Sequence, residues 1–299
     1  MKRSDVFGPM RPAFLTLPPL CVALGAGTAI WTGHKINLLH LAIVFVGAMA
    51  AHAAVNVLNE VHDFRSGLDL TTKRTPFSGG TGTLPQRPEA APTAMATGIV
   101  LMLITAAVGI YFLFVRGWAL LPLGLLGLIE IVIYTPWLTH SVLGSLVAPG
   151  LGIGLLMVMG VDFCLTGTYS WPAFFASLVP FFLVSNLLVL NQFPDIEADR
   201  AAGRSHLLVV HGPRTGSYVY AGMLAGTYLS IIAGWIVGAL PAWTLLGLLT
   251  VPLSVRASLG AYRYGGQIER LIPYMGLNVQ ITLLTPLLVA IGLFLATWL

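Results

Sequence analysis

Apolar residues run along this chain in long blocks separated by short polar breaks. The blocks predict helices near 13–31, 38–58, 92–114, 118–135, 142–160, 172–190, 216–238, 242–260 and 273–298. A helix needs about 20 apolar residues to cross roughly 30 Å of hydrocarbon, and most of these blocks approach that length. Gly25, Gly27, Gly124, Gly127, Pro180 and Pro252 fall inside the blocks, as membrane helices allow where neighbours satisfy the backbone. The expected fold is an all-α integral membrane protein, with about nine transmembrane helices in one bundle and a single domain over 1–299.

Composition agrees, since 57% of the 299 residues are hydrophobic and 9% charged. An average soluble domain carries about 25% charged residues, so lipid rather than water is the main solvent. The net charge of +4 has to be sorted by side before it says anything about partners. With nine spans, Lys2, Arg3 and Arg11 share one side with the basic loops 59–91, 136–141, 191–215 and 261–272, whereas Lys35 and Arg116 fall on the other. The positive-inside rule puts the basic side in the cytoplasm and leaves no reason to expect a nucleic-acid partner. A bacterial or archaeal inner membrane is the expected location. The basic N-terminus before an apolar block resembles a signal peptide, but no cleavage site follows, so the block is read as a first, uncleaved span. Cys21 and Cys164 have no ligand spacing and are read as packing residues.

Candidate chemistry lies at two helix ends. The second helix runs into Asn59, Asp63 and Asp69, and the sixth into Asn191, Asp195 and Asp199. In each, Asn precedes Asp by four residues, which puts the two on one helical face. Of 11 acidic residues, Glu60, Asp63, Asp69, Asp195, Glu197 and Asp199 belong to these two segments, a crowding that calls for cations. Carboxylates suit Mg²⁺, which bridges one or two protein carboxylates to substrate phosphates. The metal-ligand set expected from the pattern is Asn59, Asp63, Asp69, Asn191, Asp195 and Asp199.

Basic residues follow each motif: Lys73 and Arg74 after the first, Arg200 and Arg204 after the second. With Asn59 and Asn191 they are the expected diphosphate contacts, because Arg grips phosphate oxygens in a fork and Lys offers a point charge. The Gly-rich stretch between Arg74 and Pro85 has backbone amides able to face an anion. Glu130 in the fourth helix, with Tyr134 one turn on, is the acceptor-side candidate, since a carboxylate inside a span is expensive. Asp162 is expected on the outer side, in contact with solvent. His52, His62, His140, His206 and His211 show no zinc spacing and are read as structural.

At these motifs the chain resembles the UbiA superfamily of intramembrane prenyltransferases, whose two cytoplasmic acidic loops sit on a nine-helix bundle. Asn59, Asp63, Gly67 and Asp69, with Asn191, Asp195, Asp199, Arg200, Gly203 and Arg204, look like the menaquinone-type branch acting on dihydroxynaphthoate. The resemblance implies that Asp63, Asp69, Asp195 and Asp199 are catalytic through Mg²⁺ and diphosphate, and that Lys73 and Arg204 contact phosphate. It also implies a polyprenyl diphosphate donor, its tail in a groove open to lipid, and a small aromatic acceptor. The chain departs from the branch at His206 and Val210, and between Tyr134 and Ser145 where that branch has basic and acidic residues. Hydroxybenzoate or a non-aromatic acceptor therefore stays open beside dihydroxynaphthoate. An ion-coupled transporter is the reading from another class, though its acids would be expected near the bilayer midplane.

Overall fold

The computed structural model describes residues 3–298; Lys2 of the basic tail lies outside them. Nine apolar helices follow one another: α1 Phe14–Trp31, α2 Leu38–Arg65, α3 Pro88–Arg116, α4 Trp118–Ile133, α5 Val142–Thr166, α6 Trp171–Asn191, α7 Leu207–Ile236, α8 Ala242–Tyr264 and α9 Ile268–Trp298. Eight are long and apolar enough to cross a membrane, and α4 is a shorter apolar helix. The chain is thus an all-α integral membrane protein, with helices where the apolar blocks predict them.

Helix starts follow ordinary capping chemistry. The Asn37 side chain accepts from the amides of Leu39 (2.9 Å) and His40 (3.2 Å) at the start of α2, and Ser170 accepts from Ala173 at 3.1 Å to open α6. Two boundaries differ from the sequence expectation in ways that matter. The second helix continues past 58 to Arg65, because Asn59 and Asp63 stay within the helix instead of opening a loop. The seventh begins at Leu207 and bends at Gly212, whose φ of 77° only glycine adopts readily.

The largest buried cluster joins α1 with α6 through α9 and contains Leu24, Leu183, Leu190, Tyr220, Ile231, Leu271 and Met275. Gly150 and Gly154 let α5 lie directly against the backbone of α6 at Phe181, the close approach that small residues permit in membrane bundles. The periphery is apolar: Leu103, Phe114, Leu126, Val132, Leu229 and Ile236 are all exposed. An outer surface of that kind suits lipid and not water.

Asp162 corrects an expectation. Far from solvated, it is completely buried, where Thr28 donates at 2.7 Å and Ser170 at 3.0 Å. Two hydroxyls replace water and tie α5 to α1 and to the start of α6, which satisfies the buried carboxylate.

Candidate active site

Both acidic motifs lie at the same end of the bundle, and local geometry turns each of them inward. After α2, Gly67 takes a left-handed conformation (φ 82°) that stops the helix and starts a short turn, Leu68–Thr71, bringing Asp69 back beside α2. After α6, Pro194 ends the helical run and Asp195 opens the short helix Ile196–Ala201. Gly203, again with positive φ, lets the Arg204 amide return to the Asp199 carbonyl at 2.9 Å.

The two motifs meet through Arg204. Its guanidinium pairs with Asp63 of the first motif and, at 3.1 Å, with Asp199 of the second. Burial opposes the Arg204 charge, but Asp63 and Asp199 together hold its pKa above the usual value. On the α2 side the expected one-face arrangement holds: the Asn59 amide donates to Asp63 at 3.1 Å and to Thr135 at 3.2 Å.

Arg11, read from the sequence only as a topology signal, belongs to this cluster. Its side chain donates to Asn59 Oδ1 at 2.8 Å and to Glu60 at 2.9 Å. The wholly buried Glu60 carboxylate also accepts from the Thr81 amide at 2.8 Å and the Thr81 hydroxyl at 3.0 Å. Glu60 thereby fastens the Gly-rich loop over α2, and the same loop reaches the other motif where Ser78 donates to Asp195 at 3.3 Å. A Cβ on Gly80 (φ 69°) would lie 3.0 Å from the Asp69 carboxylate, so the loop passes over that acid only as glycine.

His206 is the second site residue that sequence reasoning set aside. Its Nδ1 accepts from the Leu208 amide at 3.2 Å, which leaves the proton on Nε2, 3.0 Å from Asp199 Oδ2. An Asp seven residues before a helix-capping His is the signal that could have marked it.

Burial first, then neighbouring acids, shape the charge of the remaining carboxylates. Asp69 is pushed up to about 7 by burial, Glu60 and Asp63. Asp195 is pushed up to about 7 by burial and Asp199, against the Ser78 hydrogen bond. Asp69 Oδ2 and Asn191 Oδ1 are buried without a hydrogen-bond partner, and both residues line the same cavity. Such orphaned oxygens are hard donors suited to Mg²⁺. Among the described residues no three His, Cys, Asp or Glu converge on one point. An ion here would take one or two protein oxygens and complete its shell from water and phosphate, which is how Mg²⁺ commonly binds.

That cavity has a volume of about 740 Å³ and holds Asn59, Asp63, Asp69, Asn191, Asp195, Asp199, Arg204, Glu130 and Tyr134 in its lining. Three expected phosphate contacts are not part of it. Lys73 and Arg74 are exposed, Arg74 remaining near enough to oppose the rise at Asp69, and exposed Arg200 pairs with Glu197 at 2.7 Å one turn away on the short helix. Helical phase explains Arg200: it lies next to Asp199 in sequence and points away from it.

From the acidic end the lining runs to Leu120 and Cys164 near the opposite end of the bundle, and nearly all of that stretch is apolar. Ile110 of α3 and Leu125 of α4 line the cavity and are themselves exposed, so it opens sideways between these helices.

Residues 19–278 match the model of the UbiA prenyltransferase family. The chain is 27% identical over 253 residues to a 1,4-dihydroxy-2-naphthoate octaprenyltransferase of Bacillus subtilis, covering 84% of this chain and 79% of the relative. It is 25% identical over 320 residues to the protein of that name in Escherichia coli, covering 97% and 94%. A UbiA homologue from Aeropyrum pernix has the same fold, with TM-score 0.71 and 18% identity over 96% of this chain and 98% of that one. Another from Archaeoglobus fulgidus, bound to DMAPP and Mg²⁺, matches with TM-score 0.66 and 15% identity over 97% of this chain and 100% of that one. Fold, paired acidic helix ends and the family match agree: this chain is a membrane-embedded enzyme that belongs to the UbiA prenyltransferase family.

Proposed function

We propose that the enzyme transfers a polyprenyl chain from its diphosphate to a small hydroxylated aromatic acceptor, with 1,4-dihydroxy-2-naphthoate as the first candidate and hydroxybenzoate or a non-aromatic acceptor as alternatives. One observation carries the reading: acids from two separate motifs meet at Arg204, at the polar mouth of a cavity that is otherwise apolar and opens to the side. A donor with a charged head and a long apolar tail has that same division. The names of the relatives supply the acceptor.

Asn59, Asp63, Asp69, Asn191, Asp195 and Asp199 would hold Mg²⁺ and the diphosphate, and a bound Mg²⁺ would stabilise the charge growing on the leaving group. Arg204 balances Asp63 and Asp199 without the donor and is placed to turn towards a diphosphate oxygen once metal takes those carboxylates. Asn59 and Arg11 fix the α2 face, and the loop fastened by Glu60 shields the head group from water. The apolar walls keep the allylic cation away from water until the acceptor carbon attacks it, so positioning and charge stabilisation supply the catalysis. The basic loops support a cytoplasmic position for the acidic end, and a bacterial or archaeal inner membrane is the proposed location.

The test is incubation of purified protein with labelled polyprenyl diphosphate, Mg²⁺ and 1,4-dihydroxy-2-naphthoate. Prenylated product and diphosphate in equal amounts, both abolished by chelation, are the expected result. Diphosphate-independent uptake of a solute into liposomes, with no prenylated product, would overturn it.

A further inference from the structure

Glu130 is not bound up in the charged cluster. It sits four residues before Tyr134 on α4, about 6 Å deeper along the helix at 1.5 Å per residue. Tyr134 and Glu130 line the same cavity as the motif acids. Opposite Glu130, α5 contains Pro149 and then a π-helical stretch, Leu151–Leu156, the widened turn that often marks functional positions. That stretch brings Gly152 directly against the Glu130 carboxylate. Gly152 has no room for a side chain there, since a Cβ would stand 2.8 Å from Glu130 Oε1 and 2.9 Å from Oε2. Oε2 is buried with no partner, and Glu130 lines the cavity beside Leu128, Ile131 and Pro149. The carboxylate is thus pressed against α5 with an oxygen that no protein group satisfies.

The charges decide what a ligand at that oxygen presents. Arg11 and Arg204 are the arginines of the cavity lining, and both are already paired with motif residues. Neither arginine of the lining is left free to receive a carboxylate beside Glu130. A hydroxyl would satisfy Oε2.

We propose, resting on the prenyl-transfer reading, that Glu130 is the acceptor-side catalytic residue and that its Oε2 receives a phenolic hydroxyl of the acceptor and takes its proton. The donor C–O bond breaks with its electron pair leaving on diphosphate. The phenol proton moves to Oε2 as a ring carbon conjugated with that oxygen forms the new C–C bond. The hydrogen of that ring carbon then departs to the released diphosphate or to water, and Glu130 returns its proton to the oxygen. Net, a prenyl group replaces a ring hydrogen, and no oxidant is needed.

The experiment compares the whole protein with its Glu130→Gln and Gly152→Ala variants in lipid nanodiscs, using polyprenyl diphosphate, Mg²⁺ and a series of phenols made progressively more acidic by fluorine. Loss of a general base typically slows a step by 10² to 10⁴. Glu130→Gln is expected to lower kcat about 100-fold with the donor KM within about threefold, and the deficit should shrink as the phenol becomes more acidic. Gly152→Ala, which displaces the carboxylate, should follow the same trend. A kcat for Glu130→Gln within about threefold of the parent, or a loss equal for every phenol, overturns the proposal while leaving prenyl transfer standing. Donor binding without transfer to any hydroxylated acceptor by the unaltered protein removes the prenyl-transfer reading and this proposal with it.

Discussion

His206 Nε2 stands 3.0 Å from Asp199 Oδ2, while Asp199 Oδ1 accepts from Arg204. One carboxylate of the second motif is thus held from both sides, by a residue at the start of α7 and by one in the loop before it. Groups that orient a metal-binding carboxylate typically contribute 10- to 100-fold to metal affinity. His206→Ala is therefore expected to weaken Mg²⁺ binding about 10-fold or more, and His206→Asn, which keeps a donor on a shorter arm, should recover part of it. Calorimetric titration with Mg²⁺ and a non-hydrolysable diphosphate reads both. Equal affinities in the parent and His206→Ala would reduce the contact to packing.

Asp63→Ala and Asp195→Ala should each abolish Mg²⁺-dependent diphosphate release, by about 100-fold or more, because each removes a carboxylate from a different motif. Size-exclusion profiles unchanged from the parent would show that the bundle persists. Near-full activity in either variant would remove that residue from the metal site.

Asp69 and Asp195 are both pushed up to about 7 from an ordinary value near 3.8. A raised carboxylate pKa means the folded, metal-free protein holds protons that the unfolded chain has released between those two values. Stability of the metal-free protein should therefore fall as pH rises from about 4 to 7 and level off above, and thermal melts across that range check the slope. Mg²⁺ has to displace the same protons, so its affinity should drop about 10-fold per pH unit below 7 for each carboxylate it engages. A metal affinity flat from pH 5 to 8 would contradict the assignment.

Gly80→Ala tests the loop. The left-handed backbone costs an L-residue about 1–2 kcal/mol, and the new Cβ would press on Asp69 at 3.0 Å. A weaker donor KM with little change in global melting temperature is expected, because the strain falls on the loop and not on the helices.

Much of this was written plainly in the chain. Nine apolar blocks became nine helices, and the four-residue step from Asn59 to Asp63 became a hydrogen bond along one helical face. Contacts between residues far apart in sequence were out of reach. Arg11 lies 48 residues from Asn59, and nothing local separates such an arginine from a topology charge. Asp162 looked solvated because its partners, Thr28 and Ser170, sit on other helices. Arg200 and Arg204 were equivalent as basic residues after a motif, and only the turn at Gly203 sends the second inward.

The sideways opening between α3 and α4 also bears on how a membrane enzyme meets its substrate. Taking a lipid out of the bilayer exposes its tail to water at about 0.8 kcal/mol for each methylene. An entrance at hydrocarbon depth, flanked by exposed Ile110 and Leu125, removes that step: the tail slides from one apolar medium into another while the head group stays at the surface. Segments of a tail longer than the cavity remain dissolved among the lipids, so affinity should stop rising with chain length once the cavity is filled.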